Sequence, residues 1–174
     1  MAKKYKLTEE TFAVDGHVLH RIKALRDFGN VKKGDLGGFI EEESNLAHDW
    51  NCWIYNDAVV CGDAIVYGNA EVYGNATVYG NAEVYDNATV CGNATVCGNA
   101  KVCGNAKVEK KSDYIVFKNW WSSGRYFTWT RSNDMWSVGC FYGTGEELIK
   151  KAYKDSEEKG REYARIVKYV KSIK

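Results

Sequence analysis

The side chains able to do chemistry in this 174-residue chain form three groups, and their spacing limits each of them. His17, His20 and His48 are the histidines, and none lies in the regular part of the sequence. A general base needs a nucleophile or substrate group within reach, and an isolated surface histidine is more often an ordinary polar residue. Among the cysteines, Cys91, Cys97 and Cys103 recur every six residues, but no C-x-x-C spacing occurs, so a zinc cluster is not expected and the thiols read as small apolar fillers. The third group is an aromatic and basic cluster near the C-terminus: Trp120, Trp121, Arg125, Tyr126 and Arg131, with Trp129 and Trp136. Rings beside guanidinium planes can stack a planar ligand and hold an anion.

The elements that must position these groups are legible from one stretch, "EVYGNATVYGNAEVYDNATVCGNATVCGNAKVCGNA", which repeats nearly the same six letters six times. A column of aliphatic residues runs from Ile54 through Val60, Val66 and Val72 to Val108, and an alanine stands two residues before each valine from Val60 onward. Residues i and i−2 share a strand face, so every repeat has one small apolar face. The Gly-Asn pair supplies a corner, because both residues tolerate left-handed backbone angles. A short strand and a corner repeated without change can only wind, and stacked rungs then bury a continuous Val/Ala column. The repeat thus gives a scaffold. "YGNAEVYGNA" is not a phosphate-binding loop, since it lacks the Lys-Ser/Thr ending and a following helix.

These residues resemble the left-handed β-helix proteins built from hexapeptide repeats. The resemblance implies three hexapeptides per coil, with residue i stacked on i+18. Glu83 should then lie beside Lys101, Thr89 should separate Glu71 from Lys107, and Asn69, Asn87 and Asn105 should form a ladder of amides along a corner. Cys91, Cys97 and Cys103 would fall on three different faces. Tyr67, Tyr73, Tyr79 and Tyr85 would point outward, as rungs packed on one another or as the interface of a homo-oligomer, a trimer being favoured. Enzymes of this fold include acyltransferases, which rely on a histidine, and zinc enzymes that use three. The histidine-free repeat argues against catalysis here.

Both ends of such a coil need covering. Asp15-Gly16 between apolar residues predicts a hairpin within an N-terminal cap, residues 1–39. Gly37-Gly38 predicts a tight bend into the β-helix, residues 40–108. Beyond "EKKSD", residues 109–174 form a C-terminal unit with three β-rich runs and one broken helix or two short ones. Thr144 and Glu147 make a capping box, and Gly160 marks the expected break. Trp129, Trp136, Val138 and Cys140 read as core, and Trp120 and Trp121 cannot both point inward. The fold class expected is therefore mainly β: a left-handed parallel β-helix of about four coils, with an N-terminal hairpin cap and a small βββα unit.

Composition bounds the partners. Lys and Arg total 24 against 23 for Asp and Glu, a net charge of +1, which disfavours nucleic acid. The sequence has no apolar run long enough to span a membrane and no secretory leader, so a cytoplasmic protein with reduced cysteines is expected. "RIKALRDFG", "GDLGGFIE", the V-Y-G-N-A coils and "GCFYGTGEELIKKA" together resemble phage and prophage hexapeptide-repeat proteins, a group without a general activity. The leading expectation is a non-enzymatic binding protein without cofactor or metal. Its terminal aromatic unit (Trp120, Trp121, Arg125, Tyr126, Arg131) would contact a host protein, such as an anti-phage defence component, or a small anionic ligand such as a nucleotide. The alternatives are an acyltransferase-like enzyme using His48 in a groove between subunits, and a structural spacer or virion component.

Overall fold

A computed structural model describes residues 3–173. The chain begins with a long hairpin, β1 (Tyr5–Val14) and β2 (His17–Ala24), and β2 pairs antiparallel with β3 (Leu36–Ile40). The turn is the expected one: Asp15 and Gly16 both take positive φ, 50° and 87°. Ten two-residue strands follow, from β4 (Trp53–Ile54), β5 (Val59–Val60) and β6 (Ile65–Val66) through β7 (Glu71–Val72), β8 (Thr77–Val78) and β9 (Glu83–Val84) to β10 (Thr89–Val90), β11 (Thr95–Val96), β12 (Lys101–Val102) and β13 (Lys107–Val108). Each of β4 to β10 pairs in parallel with the strand three further on, Val72 with Val90 and Val84 with Val102, so that residue i stacks on i+18. The result is a parallel β-solenoid of about four turns with three faces: β3-β5-β8-β11, β4-β7-β10-β13 and β6-β9-β12.

The Val/Ala columns explain why it holds together. Val60, Val66, Val72, Val78, Val84, Val90, Val96 and Val102 have no solvent exposure, and neither do the alanines between them apart from a trace at Ala88. One rung alone could not bury its valine, whereas stacked rungs remove the whole column from water. On the outside the charges align as expected. Lys101 Nζ lies 2.6 Å from Glu83 Oε1, and Thr89 pairs with both Glu71 and Lys107. Asn69 donates to Asn87 at 3.2 Å and Asn87 to Asn105 at 3.4 Å, forming the corner ladder.

The C-terminal segment covers the far end. Its three β-rich runs resolve into four antiparallel strands, β14 (Tyr114–Lys118), β15 (Tyr126–Thr130), β16 (Met135–Val138) and β17 (Phe141–Gly143), followed by α1 (Gly145–Asp155) and α2 (Glu157–Ser172). A turn at Gly139, φ 59°, separates β16 from β17 and leaves Cys140 exposed rather than in the core. Phe127, Trp129, Trp136 and Val138 pack with Leu148, Ala152, Tyr163 and Val167 of the helices, and the Thr144–Glu147 capping box forms. The helix breaks at Ser156, which caps α2 by accepting from Lys159 N–H. Gly160 lies inside α2, where a Cβ would stand 2.2 Å from the Tyr153 ring, so it serves close helix packing rather than a break.

The opposite side of the sheet closes the solenoid with hydroxyl groups. Tyr114 Oη accepts from Cys97 N–H at 3.2 Å, Thr128 Oγ1 from Lys101 N–H at 2.9 Å, and Ser132 Oγ from Lys107 N–H at 2.7 Å. One acceptor thus meets each face of the last coil, where a further rung would otherwise dock. Thr128 is buried, so Thr128→Val keeps its shape and orphans the Lys101 amide. We expect a loss of about 1–3 kcal/mol by urea denaturation. A variant as stable as the wild type would mean that the hydroxyl contributes nothing.

Gly37 and Gly38 do not make a bend. Both lie within extended β3, where a Cβ on Gly37 would stand 2.6 Å from Ile54 O and one on Gly38 2.4 Å from Ala58 O. They let one backbone lie directly on the first coil. No helix among the described residues is long and apolar enough to cross a membrane.

Candidate active site

His17 is the first residue of β2, immediately after the hairpin turn, and Glu41 is the first residue after β3. The antiparallel pairing of β2 with β3, His20 opposite Ile40, brings the two side chains together. His17 Nδ1 lies 2.8 Å from Glu41 Oε1 and 2.9 Å from Oε2. A carboxylate can only accept, so Nδ1 carries the proton and the neutral ring keeps its lone pair on Nε2. Glu41 is itself fixed: its Oε2 accepts from Gly62 N–H at 2.8 Å, and Asn45 Oδ1 accepts from Glu41 N–H at 3.1 Å. The His17 hydrogen bond, then the Gly62 amide, hold the Glu41 carboxyl below the usual carboxylate range. This is a histidine oriented by a carboxylate, which sets one tautomer and stabilises the imidazolium after proton uptake.

His17 borders a cavity of about 360 Å³ between the hairpin and the β5-β8 face. Phe12, Val14 and His17 line the hairpin side, and Val59, Cys61, Thr77 and Tyr79 the solenoid side. Its walls are largely apolar, with Thr77 and Tyr79 as neutral hydroxyl donors and Asp15, beside His17 on the hairpin, as one carboxylate. Cys61 is no ready nucleophile, because burial first, then Glu41 and Asp15, push its thiol up.

The other histidines are occupied. His48, expected as the base of the acyltransferase alternative, accepts from Lys4 N–H through Nδ1 at 3.2 Å and stacks on Tyr5 at 4.4 Å. Its Nε2 is sealed from solvent and 3.9 Å from Glu43 Oε2. Desolvation lowers its pKa, so it is a neutral structural group that cannot reach a substrate. His20 Nδ1 faces Thr8 O at 3.2 Å.

The residues singled out near the C-terminus do not form one site. Trp120 and Trp121 both point outward, 71% and 80% exposed, on the loop after β14. Lys118, not an arginine, lies over Trp120 at 4.0 Å and over Tyr126 at 4.9 Å. Arg125 borders a shallow groove beside Gly139, whereas Arg131 lies at the other end of β15, donating to Ser112 O at 3.2 Å. The tyrosines are likewise divided. Tyr67 and Tyr85 stack on one another at 4.8 Å with planes 2° apart, Tyr79 lines the cavity beside His17, and Tyr73 is half-buried on the third face, so these four tyrosines do not share one face. Among the described residues no group of three or more His, Cys, Asp or Glu is placed to hold a metal ion.

Glu41 is the candidate-site residue that the sequence did not disclose. It sits in "FIEEES", where nothing distinguishes it from Glu42 and Glu43, and 24 residues separate it from His17. The signal lies in the strand register.

Residues 70–83 and 82–98 match a family described as the YdcK β-solenoid repeat. The chain is also 38% identical over 66 residues to a protein of Escherichia coli (strain K12) described as "Uncharacterized acetyltransferase YdcK". That match covers 33% of this chain and 20% of the relative, so the chain spans about a fifth of the relative's length. The similarity corrects the leading expectation. A relative described as an acetyltransferase overturns the reading of a non-enzymatic binding protein and favours the acyltransferase alternative.

Proposed function

We propose that this protein is an acyltransferase, transferring an acetyl or similar short acyl group from coenzyme A to a hydroxyl or amine. The observation that carries the reading is His17, oriented by Glu41, at the rim of a largely apolar cavity on a β-solenoid face. The description of the Escherichia coli relative supports it.

The chemistry asked of the chain is modest. His17 Nε2 takes the proton from the attacking hydroxyl or amine as that atom forms its bond to the acyl carbon. Glu41 stabilises the imidazolium that results. As the carbon–sulfur bond breaks, the same proton passes from Nε2 to the departing thiolate, so no proton is left over. The raised thiol of Cys61 argues for direct transfer rather than an enzyme-bound thioester. The cavity suits the acyl end and the thin pantetheine arm, with the bulk of coenzyme A outside.

The test is release of free thiol from acetyl-coenzyme A in the presence of a panel of amines and sugars. A Thr77→Phe variant that plugs the cavity serves as comparison. Wild-type release that falls to background in the plugged, folded variant is the expected result. Absence of both turnover and acetyl-coenzyme A binding by calorimetry sinks the proposal.

A further inference from the structure

A second site lies on the corner between the β6-β9-β12 face and the β7-β10-β13 face, away from His17. Most corners of the solenoid carry glycine with positive φ: Gly62, Gly68, Gly74, Gly80, Gly92, Gly98 and Gly104. On this corner the stack reads Trp50, Gly68, Asp86, Gly104. Asp86 takes φ 58°, which a short polar side chain tolerates. Trp50 also takes φ 58°, and a bulky residue in that region is a genuine outlier that persists where the surroundings or a function impose it. Packing does not explain it, because Trp50 is 71% exposed.

The tryptophan stands at one end of an open groove of about 570 Å³, with Tyr142 at the other. Gly68 and Gly104 keep its floor low: a Cβ on Gly104 would overlap the Tyr142 hydroxyl at 1.9 Å. The wall is the amide ladder of Asn69, Asn87 and Asn105, which presents the same donor and acceptor once per rung, every ~4.8 Å. Asp86 Oδ2 accepts from Gly104 N–H at 3.2 Å, and its other oxygen is left for a ligand. None of the residues lining the groove is Lys, Arg or His, and one carries a negative charge. A phosphate or carboxylate would find no counter-ion there.

We propose that this corner binds a neutral oligosaccharide. An aromatic face packs against the C–H face of a pyranose ring, and side-chain amides and a carboxylate satisfy hydroxyl groups in both directions. The ladder repeats at a fixed step, as a polymer of like units requires. The proposal does not depend on acyl transfer at His17.

The experiment titrates the full chain, without coenzyme A, with maltotriose, cellotriose and N,N′,N″-triacetylchitotriose. Tryptophan fluorescence and saturation-transfer NMR report binding, and adenosine monophosphate is the control ligand. At least one trisaccharide should bind saturably below about 10 mM. Trp50→Gly should weaken it about tenfold or more while raising Tm by roughly 3 °C, because glycine suits the left-handed backbone. This variant is expected to be more stable than the wild type, so lost binding cannot be ascribed to misfolding. Failure of every trisaccharide to bind overturns the proposal, as does unchanged affinity in Trp50→Gly. Binding of the nucleotide alone overturns the assignment to sugar.

Discussion

Replacing His17 with alanine should lower kcat/KM for acyl transfer by about 10²–10⁴-fold, the usual contribution of a positioned base. The ring is at the rim of the cavity, its side chain 42% exposed, so its removal leaves the solenoid core intact. Glu41→Gln should cost less, about 10–100-fold, since the amide oxygen can still accept from Nδ1–H but the charge that stabilises the imidazolium is gone. His48→Ala serves as the contrast. It should lower Tm by removing the stack on Tyr5 and the acceptor of Lys4 N–H, yet leave turnover per folded molecule unchanged. A His17→Ala enzyme within twofold of wild type would remove His17 from the reaction. The Glu41 variant also has a pH signature. The folded carboxyl titrates below its ordinary value of 4.5, so its stabilisation is complete above that value and is lost as pH falls through the lower folded one. Acid melts of Glu41→Gln should lack that component.

Gly38→Ala should be among the most damaging single-methyl additions in the chain. The new Cβ would stand 2.4 Å from Ala58 O and 2.5 Å from Ile54 Cγ2. Neither can retreat cheaply. Phe39 N–H donates to the same Ala58 carbonyl at 2.9 Å, and Ile54 is fully buried. The remedy is to lift β3 from the first coil, which also displaces Glu41 directly after it. Overpacking against backbone supports a loss of about 2–4 kcal/mol, read from the urea midpoint, together with reduced transferase activity. Gly34→Ala is the control: nothing lies within 4 Å of its Cβ, and only the φ of +99° opposes it. Equal stability of the two variants would show that close approach at Gly38 is not what the glycine provides.

How far the sequence could be read follows from how local each determinant is. The Val/Ala columns, the Glu83–Lys101 pair and the asparagine ladder repeat at a fixed phase, so any short window discloses them and the winding with them. Trp129 and Trp136 were legible as core because strand alternation puts both on one face. Gly37-Gly38 was misread as a bend, since sequence alone does not separate a glycine needed for its φ from one needed for its missing Cβ. The left-handed backbone of Trp50 was not legible, because no sequence signal assigns positive φ to a bulky residue. The His17–Glu41 pair was out of reach, because it arises where three strands of the N-terminal sheet settle their register over a coil. Sequence alone therefore points to the aromatic cluster for binding and to His48 as the base of the acyltransferase alternative, whereas the His17–Glu41 pair forms only once the N-terminal sheet has folded.

The hydroxyl cap at Tyr114, Thr128 and Ser132 gives the molecule a phase. Each of the three oxygens meets one particular face of the final coil, so the C-terminal unit is keyed to the rotation of the solenoid as well as to its end. An insertion or loss of eighteen residues lengthens or shortens the prism by one full turn and returns every hydroxyl to the face it serves. A change of six residues turns the unit by a third of a revolution, so Thr128 meets an amide set for Ser132 or Tyr114. Length in this architecture can therefore drift only in whole turns, although the sequence that encodes it repeats three times as often.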